Sequence, residues 1–240
     1  MQAFILAAGL GTRLKPLTNH IPKALVDVQG TPLLQIAIDN LVRQGVTRIV
    51  INIHHFANLV RDYLNSREWD VPIYVSDESK LLLDTGGGLK KAESLFRKNE
   101  PILIHNVDIL SHLNISLLKE KHTNSDSLAT LVVSKRETSR YLLFDKDDQL
   151  TGWRNKTTHE TKWVRNPINL CRELAFDGIA LIEPQLLNLL PAINQPYSII
   201  PAYLEIARNH RINYFELPAQ DWIDVGKPET LSQAQQWKLF

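Results

Sequence analysis

Apolar residues follow two different periodicities in the first half of the chain. Short, nearly continuous apolar runs are typical of parallel strands buried on both faces, whereas apolar residues three and four positions apart are typical of helices. After an apolar strand at the N-terminus, the runs predict strands at Arg48–Ile53, Pro72–Ser76, Pro101–His105 and Ser127–Val133. The helical spacing predicts helices at Thr31–Gly45, Ala57–Leu64, Gly88–Phe96 and Ile115–Lys121. This alternation predicts an α/β fold with a Rossmann-like, mostly parallel mixed sheet flanked by helices, whose ligand lies beyond the carboxyl ends of the strands.

The second half of the chain has a shorter and more varied pattern. Two apolar runs around an acidic turn, from Tyr141 to Trp153, predict a β-hairpin. Residues 157–170 have no clear period, and we expect them to be flexible. The remaining elements are predicted as strands at Ala175–Ile182, Ile212–Leu217 and Trp222–Val225 and as helices at Pro184–Leu190, Ile199–Asn209 and from Pro228 onwards. No linker rich in Gly, Ser or Pro interrupts them, so we expect one domain over residues 1–240.

Composition narrows the class of partner. The 240 residues are 44% hydrophobic and 22% charged, with a net charge of +1 and no run of Lys or Arg. This balance is ordinary for a globular chain and argues against nucleic acid or a membrane surface as the main partner. The single cysteine, Cys171, excludes an internal disulfide and a cysteine-based zinc cluster. The N-terminal segment lacks the features of a signal peptide, and no apolar stretch approaches about twenty residues, so we expect a cytoplasmic protein.

The first strand runs into a loop that has the features of a phosphate site. Gly9 and Gly11 can adopt backbone angles that direct several N–H groups at one anion, and Arg13 and Lys23 add positive charge. The loop could instead be only a tight connection to the next helix, although its length is unusual for that role. A dinucleotide-binding turn is a further alternative, but it needs a third glycine where this chain has Leu14. We therefore predict that this loop binds phosphate.

Two aspartates far apart in the chain are each associated with an apolar strand. Asp108 comes after the run Ile102–Ile104, and Asp224 lies in the segment Trp222–Gly226. A carboxylate at such a strand end can hold Mg²⁺ against a triphosphate, and Mg²⁺ commonly uses one or two protein carboxylates. Each aspartate could instead cap the following helix or form a turn.

Two glycine-containing segments predict the close approach of a ligand to the backbone. The run Asp84–Gly88 reads DTGGG and lies between a predicted strand and a predicted helix, where glycines would admit a flat ligand. A glycine-rich helix start or a flexible lid is the alternative for this segment. Gly178 interrupts the strand Ala175–Ile182, and a glycine inside a strand marks either a close approach or a bulge.

Together these motifs resemble those of the sugar-1-phosphate nucleotidyltransferases, or NDP-sugar pyrophosphorylases. Their signature is a strand followed by G-x-G-T-R-x-x-P-x-T and P-K, met here by Gly9, Gly11, Thr12, Arg13, Pro16, Thr18, Pro22 and Lys23. The elements W-x-D-V-G at Trp222 and F-x-G-I at Phe176 are also similar. The TGGG form is most similar to that of the members that transfer a uridylyl group to N-acetylmuramate 1-phosphate. The resemblance covers nearly the whole chain and implies the nucleotide-diphospho-sugar transferase fold.

The resemblance implies roles for individual residues. It implies a Mg²⁺ ion on Asp108 and Asp224, which form the catalytic set together with Arg13 and Lys23. The implied nucleotide-binding residues are Leu6, Ala7, Ala8, Gly9, Gly11, Thr12, Arg13, Lys23, Asp84, Thr85, Gly86, Gly87 and Asn106. The implied sugar-binding residues are Asn106, Asp177 and Gly178. Residues 1–134 would then form the nucleotide-binding part, and residues 135–240 the sugar-phosphate-binding part with the terminal helix.

The implied reaction is Mg²⁺-dependent transfer of a nucleotidyl group, with UTP favoured, from an NTP to a sugar 1-phosphate, which would supply a cell-wall precursor. The segment Trp153–Lys156 stands where many relatives carry a Glu-Lys pair for the sugar, so the acceptor stays open. The alternatives are guanylyl transfer to mannose 1-phosphate, cytidylyl transfer to a phospho-alcohol such as phosphocholine, and a nucleotide-binding regulatory protein without turnover. A monomer and a homodimer are both compatible with the sequence.

Overall fold

The computed structural model describes residues 1–165 and 170–239. Their strands are β1 (Gln2–Leu6), β2 (Asp27–Val28), β3 (Thr31–Pro32), β4 (Arg48–Ile53), β5 (Ile73–Asp77), β6 (Ile102–Asn106), β7 (Ile109–Ser111), β8 (Ala129–Ser134), β9 (Arg140–Phe144), β10 (Leu150–Asn155), β11 (Thr161–Trp163), β12 (Arg172–Ile182), β13 (Ile212–Glu216) and β14 (Trp222–Asp224). Their α-helices are α1 (Leu33–Arg43), α2 (Ala57–Asn65), α3 (Asp84–Lys91), α4 (Ile115–Asn124), α5 (Leu186–Leu189), α6 (Ile199–Ile206) and α7 (Pro228–Ala234).

Local signals set several of the helix ends. Pro32 precedes α1, and Gly45 follows it with a positive φ of 87°, a conformation that favours glycine. The side chain of Asn114 caps α4 by accepting hydrogen bonds from the N–H groups of Ser116 and Leu117 at 3.0 and 3.2 Å. Residues close in sequence therefore determine where these helices begin and end.

The central sheet joins a parallel half to an antiparallel half. Its order is β11-β10-β9-β12-β6-β1-β4-β5, with β8 beside β12 and β13 beside β8. Strands β6, β1, β4 and β5 are parallel, and β12 joins them by pairing antiparallel to β6. In this register Leu6 lies opposite both Asn52 and Asn106. The predicted α/β class with a mixed sheet is confirmed, and the carboxyl ends of four parallel strands meet at one edge.

Two apolar layers cover the two faces of the sheet. Phe4 belongs to a layer with Leu89 of α3 and Tyr203 of α6. Ile5, the next residue of the same strand, belongs to the opposite layer, with Leu41 of α1. Because successive strand residues point to opposite faces, an apolar strand requires helices on both sides. Among the described residues, no helix combines the length and the apolar character needed to cross a bilayer.

The prediction of a flexible segment over residues 157–170 is wrong for its middle part. There β11 pairs antiparallel with β10, and the N–H of Val164 donates to the carbonyl of Thr151 at 2.9 Å. These bonds use backbone groups, so the side-chain pattern gave no sign of them. Residues 166–169, which the same prediction included, lie outside the described residues.

Candidate active site

The loop after β1 is held in shape by its own residues. Gly11 has a left-handed backbone with φ of 65°, and the hydroxyl of Thr18 donates to its carbonyl at 2.8 Å. A Cβ added at Gly11 would lie 3.0 Å from Cγ2 of Thr18 and 3.2 Å from Cβ of Lys23. Only glycine suits both this conformation and this spacing. The signature residues Gly11 and Thr18 therefore pack the loop so that Lys23 approaches its glycine turn.

A small second sheet brings the two predicted aspartates together. Strands β7 and β14 pair antiparallel, with Asp224 opposite Ile109, the residue after Asp108. The N–H of Val225 donates to the carbonyl of Asp108 at 2.8 Å. Two carboxylates from distant parts of the chain therefore lie side by side, as a shared metal site requires.

Each carboxylate has a cationic partner from the phosphate loop. Lys23 forms an ion pair with Asp108, and these side chains are only 11% and 13% exposed. Nη2 of Arg13 lies 3.4 Å from Oδ2 of Asp224. Burial raises the pKa of Asp224, and the neighbouring charge of Asp108 raises it further, while Lys23 and Arg13 act in the opposite direction. The two adjacent carboxylates are thus each paired with a cation of the phosphate loop, and the four side chains together carry no net charge.

A cavity of about 420 Å³ opens beside this cluster, at the carboxyl ends of β1 and β6. Its size is that of a small-molecule site. The predicted site residues that line it are Leu6, Ala7, Ala8, Gly9, Lys23, Asp84, Thr85, Asn106 and Asp108. Gly11, Thr12 and Arg13 lie farther along the loop, outside the lining, and Asp224 adjoins Asp108. The structure thus gathers most of the predicted nucleotide-binding set around one opening.

Helix α3 begins at Asp84, four residues earlier than predicted, and the glycines of the DTGGG run lie inside it. The carbonyl of Tyr197 accepts hydrogen bonds from the N–H groups of Gly86 and Gly87 at 3.0 and 3.2 Å. The hydroxyl of Thr85 accepts the N–H of Ile199 at 2.9 Å. A segment distant in the chain therefore caps the helix. The N–H groups of Gly86 and Gly87 thus donate to a carbonyl of the protein itself, and neither residue lines the cavity.

Replacing Gly86 with alanine is expected to destabilise the fold, because the new Cβ would collide with the ring of Tyr197 and lie 3.0 Å from its carbonyl oxygen. Overpacking of this kind typically costs about 1–3 kcal/mol in the free energy of unfolding. Urea titration would measure this loss. Gly9→Ala is the matched control, since a Cβ there meets nothing within 4 Å. Equal losses in the two variants would contradict the packing argument.

Asp177 does not line the cavity, and its burial does not fit its predicted contact with the sugar. Its carboxylate is fully buried, and Oδ1 accepts hydrogen bonds from Ser134 at 2.8 Å and Arg136 at 3.1 Å. Burial raises its pKa to about 6. Its backbone carbonyl accepts the indole N–H of Trp222 at 2.9 Å. Asp177 therefore braces β14, the strand that carries Asp224.

Gly178 makes room for a neighbouring side chain rather than for an open pocket. It has a φ of 75°, and a Cβ there would lie 2.6 Å from Nδ2 of Asn106. The pairing of β12 with β8 shifts register between Phe176 and Ala180, so the bulge alternative describes this segment. Asn106 itself lines the cavity, and Gly178 allows it to sit there.

His105, directly before Asn106, is buried, and its Nδ1 has no hydrogen-bond partner within residues 1–165 and 170–239. Burial lowers its pKa to about 4, whereas an unfolded chain binds this proton near pH ~6.5. Between these values the unfolded state binds more protons, so the free energy of unfolding falls as the pH is lowered. His105→Gln is expected to remove up to about 1.4 kcal/mol per pH unit of that slope. Urea unfolding of both proteins from pH 7 to 4 would measure it, and parallel curves would contradict it.

Four cavity residues escaped the sequence prediction: Asn52, Leu82, Val107 and Pro196. Asn52 carried a signal, because it is a polar residue in the apolar run of β4 and is only 2% exposed. Pro196 carried none: it lines the cavity next to Tyr197, whose backbone bonds to Leu83 and α3, more than a hundred positions away in the chain.

Comparison with known proteins agrees with this geometry. The chain matches the family model described as Nucleotidyl transferase over residues 2–239. The N-acetylmuramate alpha-1-phosphate uridylyltransferase of Caulobacter vibrioides is 31% identical over 97% of this chain and 95% of its own length. The mannose-1-phosphate guanyltransferase of Pichia angusta is also 31% identical, over 95% of this chain, which spans 62% of that relative.

Solved structures share the fold. HddC from Yersinia pseudotuberculosis superposes with a TM-score of 0.77 at 23% identity, covering 98% of both chains. The inositol-1-phosphate CTP transferase from T. maritima superposes with a TM-score of 0.75 at 18% identity, covering 98% of this chain and 96% of the other. With a family match over nearly all of its length and a relative at 31% identity, this chain belongs to the nucleotidyl transferase family, among the sugar-phosphate nucleotidyltransferases.

Proposed function

We propose that the chain transfers the uridylyl group of UTP to a sugar 1-phosphate, with N-acetylmuramate 1-phosphate as the first acceptor to test. One observation carries the proposal: Lys23 and Asp108, with Arg13 and Asp224, form adjacent charge pairs beside a cavity of about 420 Å³. The Caulobacter relative, which is named for uridylyl transfer and matches over nearly its whole length, supports the choice of base and acceptor.

The residues present fit a magnesium ion. No group of three or more His, Cys, Asp or Glu side chains in the described parts of the chain could hold a metal by itself. Asp108 and Asp224 provide two carboxylates, which suits Mg²⁺ because it takes the rest of its octahedron from phosphate oxygens and water. Burial is the main cause of the raised pKa of Asp224, and the neighbouring charge of Asp108 adds a repulsion that a divalent cation would relieve. When bound there, Mg²⁺ would neutralise phosphate charge and orient the two substrates.

In the proposed reaction an oxygen of the sugar phosphate forms a bond to the α-phosphorus of UTP. The bond from that phosphorus to the pyrophosphate oxygen breaks, and pyrophosphate leaves. Lys23, in the cavity wall, would neutralise the charge that builds on the α-phosphate, and Arg13 with the loop amides would bind the β- and γ-phosphates. No covalent enzyme intermediate is required, so positioning and charge neutralisation supply the catalysis.

We infer that the two parts of the chain bind different substrates. All lining residues of the cavity except Pro196 belong to residues 1–134, which supports a nucleotide-binding role for that part. Residues 135–240 would bind the sugar phosphate and supply Asp224 to the metal.

A pyrophosphate-release assay with Mg²⁺ tests the proposal. It would pair each of the four common NTPs with N-acetylmuramate 1-phosphate, mannose 1-phosphate and phosphocholine. The highest kcat/KM is expected for UTP with the first acceptor. Preference for GTP with mannose 1-phosphate, the reaction for which the Pichia relative is named, or for CTP with phosphocholine would replace the proposed substrates and keep the reaction class. No release with any pair would favour a nucleotide-binding protein without turnover.

A further inference from the structure

Two buried polar residues, one in the cavity lining and one behind it, have no role in the reaction described so far. Asn52 lies near the carboxyl end of β4, opposite Leu6, and is 2% exposed. Glu78 follows β5 and is fully buried. A buried carboxylate and a buried amide are costly unless their hydrogen bonds are satisfied, so their partners indicate what they do.

Three hydrogen bonds run in series through this pair. Oδ1 of Asn52 accepts the N–H of Ala7 at 2.7 Å. Nδ2 of Asn52 donates to Oε1 of Glu78 at 2.8 Å. Oε2 of Glu78 accepts the N–H of Leu83 at 3.0 Å. The series therefore runs from the loop after β1 to the residue before α3.

The two ends of this series lie in two segments that line the cavity: Ala7 is a lining residue, and Leu83 stands between the lining residues Leu82 and Asp84. Ala7, Ala8 and Gly9 line one wall, and Leu82, Asp84 and Thr85 line the other. The sheet pairs β1 with β4 and β4 with β5, and the N–H of Glu78 donates to the carbonyl of Ile53, but neither wall segment is itself part of a strand. The hydrogen bonds through Asn52 and Glu78 connect them directly and hold both at a set distance.

Gly88, the last glycine of the DTGGG run, is explained by this connection. A Cβ there would lie 2.6 Å from Oε1 of Glu78 and 2.9 Å from Nδ2 of Asn52. Glycine at this position therefore allows α3 to pack against the hydrogen-bonded pair, and the requirement comes from protein rather than from a ligand.

We propose that Asn52 and Glu78 are positioning residues that set the separation between the loop after β1 and the start of α3, and thereby the choice of nucleobase. The proposal rests on the proposed function. A site discriminates between bases when its donors and acceptors are held rigidly, because a wrong base then leaves buried polar groups unpaired. A wall free to shift would accommodate several bases with similar affinity.

Each hydrogen bond in the series has a defined donor and a defined acceptor. The series can therefore be tested with substitutions that keep the size and shape of both side chains. Asn52→Asp would place one carboxylate against another, and Glu78→Gln would set two donors against each other at either Asn52 or Leu83. The double substitution restores every bond. The new carboxylate at position 52 accepts from Ala7 and from the new amide at position 78, whose oxygen accepts the N–H of Leu83.

Each single variant is expected to raise KM for UTP about 10-fold and to reduce the preference for UTP over CTP and GTP by a similar factor, with kcat changed less than about 3-fold. The double variant is expected to recover wild-type KM and preference within about 2-fold, the signature of direct coupling in a double-mutant cycle. Asn213→Asp is the matched control. It adds a carboxylate at a buried residue bonded to Thr130, away from the cavity, and should change the melting temperature but not KM or base preference.

Nucleotide affinity measured by calorimetry, without an acceptor, separates this inference from the proposed function. If the wild type binds UTP but releases no pyrophosphate, the proposed reaction fails, and Kd for each NTP still reports whether the walls are coupled. If a single variant fails to fold, Asn52→Ser takes its place. This variant loses the hydrogen bond to Glu78 and keeps the one that Glu78 accepts from the N–H of Leu83. It is expected to lose the preference for UTP to the same extent. Unchanged affinity and preference in the single variants, or a double variant no better than either, would overturn the inference. A wild type that binds no NTP would overturn both.

Discussion

Lys23→Ala is expected to lower kcat by about 100-fold or more, the size of effect seen when a preorganised stabilising group is removed. Lys23 is 11% exposed, lines the cavity and pairs with Asp108. In the proposed reaction its charge acts mainly when negative charge builds on the α-phosphate, so the loss falls on kcat more than on KM. Steady-state kinetics at saturating NTP, acceptor and Mg²⁺ would measure it.

Lys15→Ala is the matched control for this variant. Lys15 is a cation of the same loop, but it is exposed and lies outside the cavity lining. Its removal changes the net charge equally and should leave kcat within about 2-fold, as expected for an exposed charge. An unchanged kcat in Lys23→Ala, or equal losses in both variants, would remove Lys23 from the mechanism.

Asp108→Asn and Asp224→Asn are each expected to lower kcat by about 100-fold or more at the magnesium concentration that saturates the wild type. Each change removes one of two carboxylates that β7 and β14 hold side by side. Because both would serve one ion, the double variant should be little worse than either single variant. Magnesium titrations of activity, together with thermal shifts by UTP in the presence and absence of Mg²⁺, would measure the effect.

Asp221→Asn provides the comparison for the metal site. Asp221 precedes Asp224 by three residues, is 34% exposed and pairs with His112 instead of the central cluster. Its amide variant should keep the wild-type magnesium dependence. Full activity of Asp108→Asn or Asp224→Asn at the same magnesium concentration would exclude a shared metal site there.

The sequence predicted candidate site residues from short motifs, whereas contacts between distant elements left little trace in it. Gly11, Lys23, Asp108 and Asp224 fall in short motifs, and each motif is governed by local backbone geometry or by a strand end. The pairing of β7 with β14 was not predicted, because strands of three residues leave little periodicity to read. It is nevertheless the contact that places the two aspartates together.

The errors share one physical cause, which is competition between local patterns and long-range hydrogen bonds. Tyr197 supplies the carbonyl that lets α3 begin at Asp84, and β10 supplies the partner for β11. Asp177 stands in a motif that implies sugar contact, yet Arg136 and Ser134 draw its carboxylate into the protein. Asn52 could have been recognised from the sequence as a candidate polar site residue, since burying an amide in an apolar strand is costly unless its hydrogen bonds are satisfied.

Product analysis of a single reaction tests the central claim most directly. The wild-type chain would be incubated with UTP, N-acetylmuramate 1-phosphate and Mg²⁺, and the nucleotide sugar and pyrophosphate would be quantified by mass spectrometry and a coupled assay. Nucleotidyl transfer predicts equal amounts of the UDP-sugar and pyrophosphate, with neither formed when one substrate is omitted. UTP binding, seen as a raised melting temperature, without formation of either product in this reaction would contradict the proposed transfer.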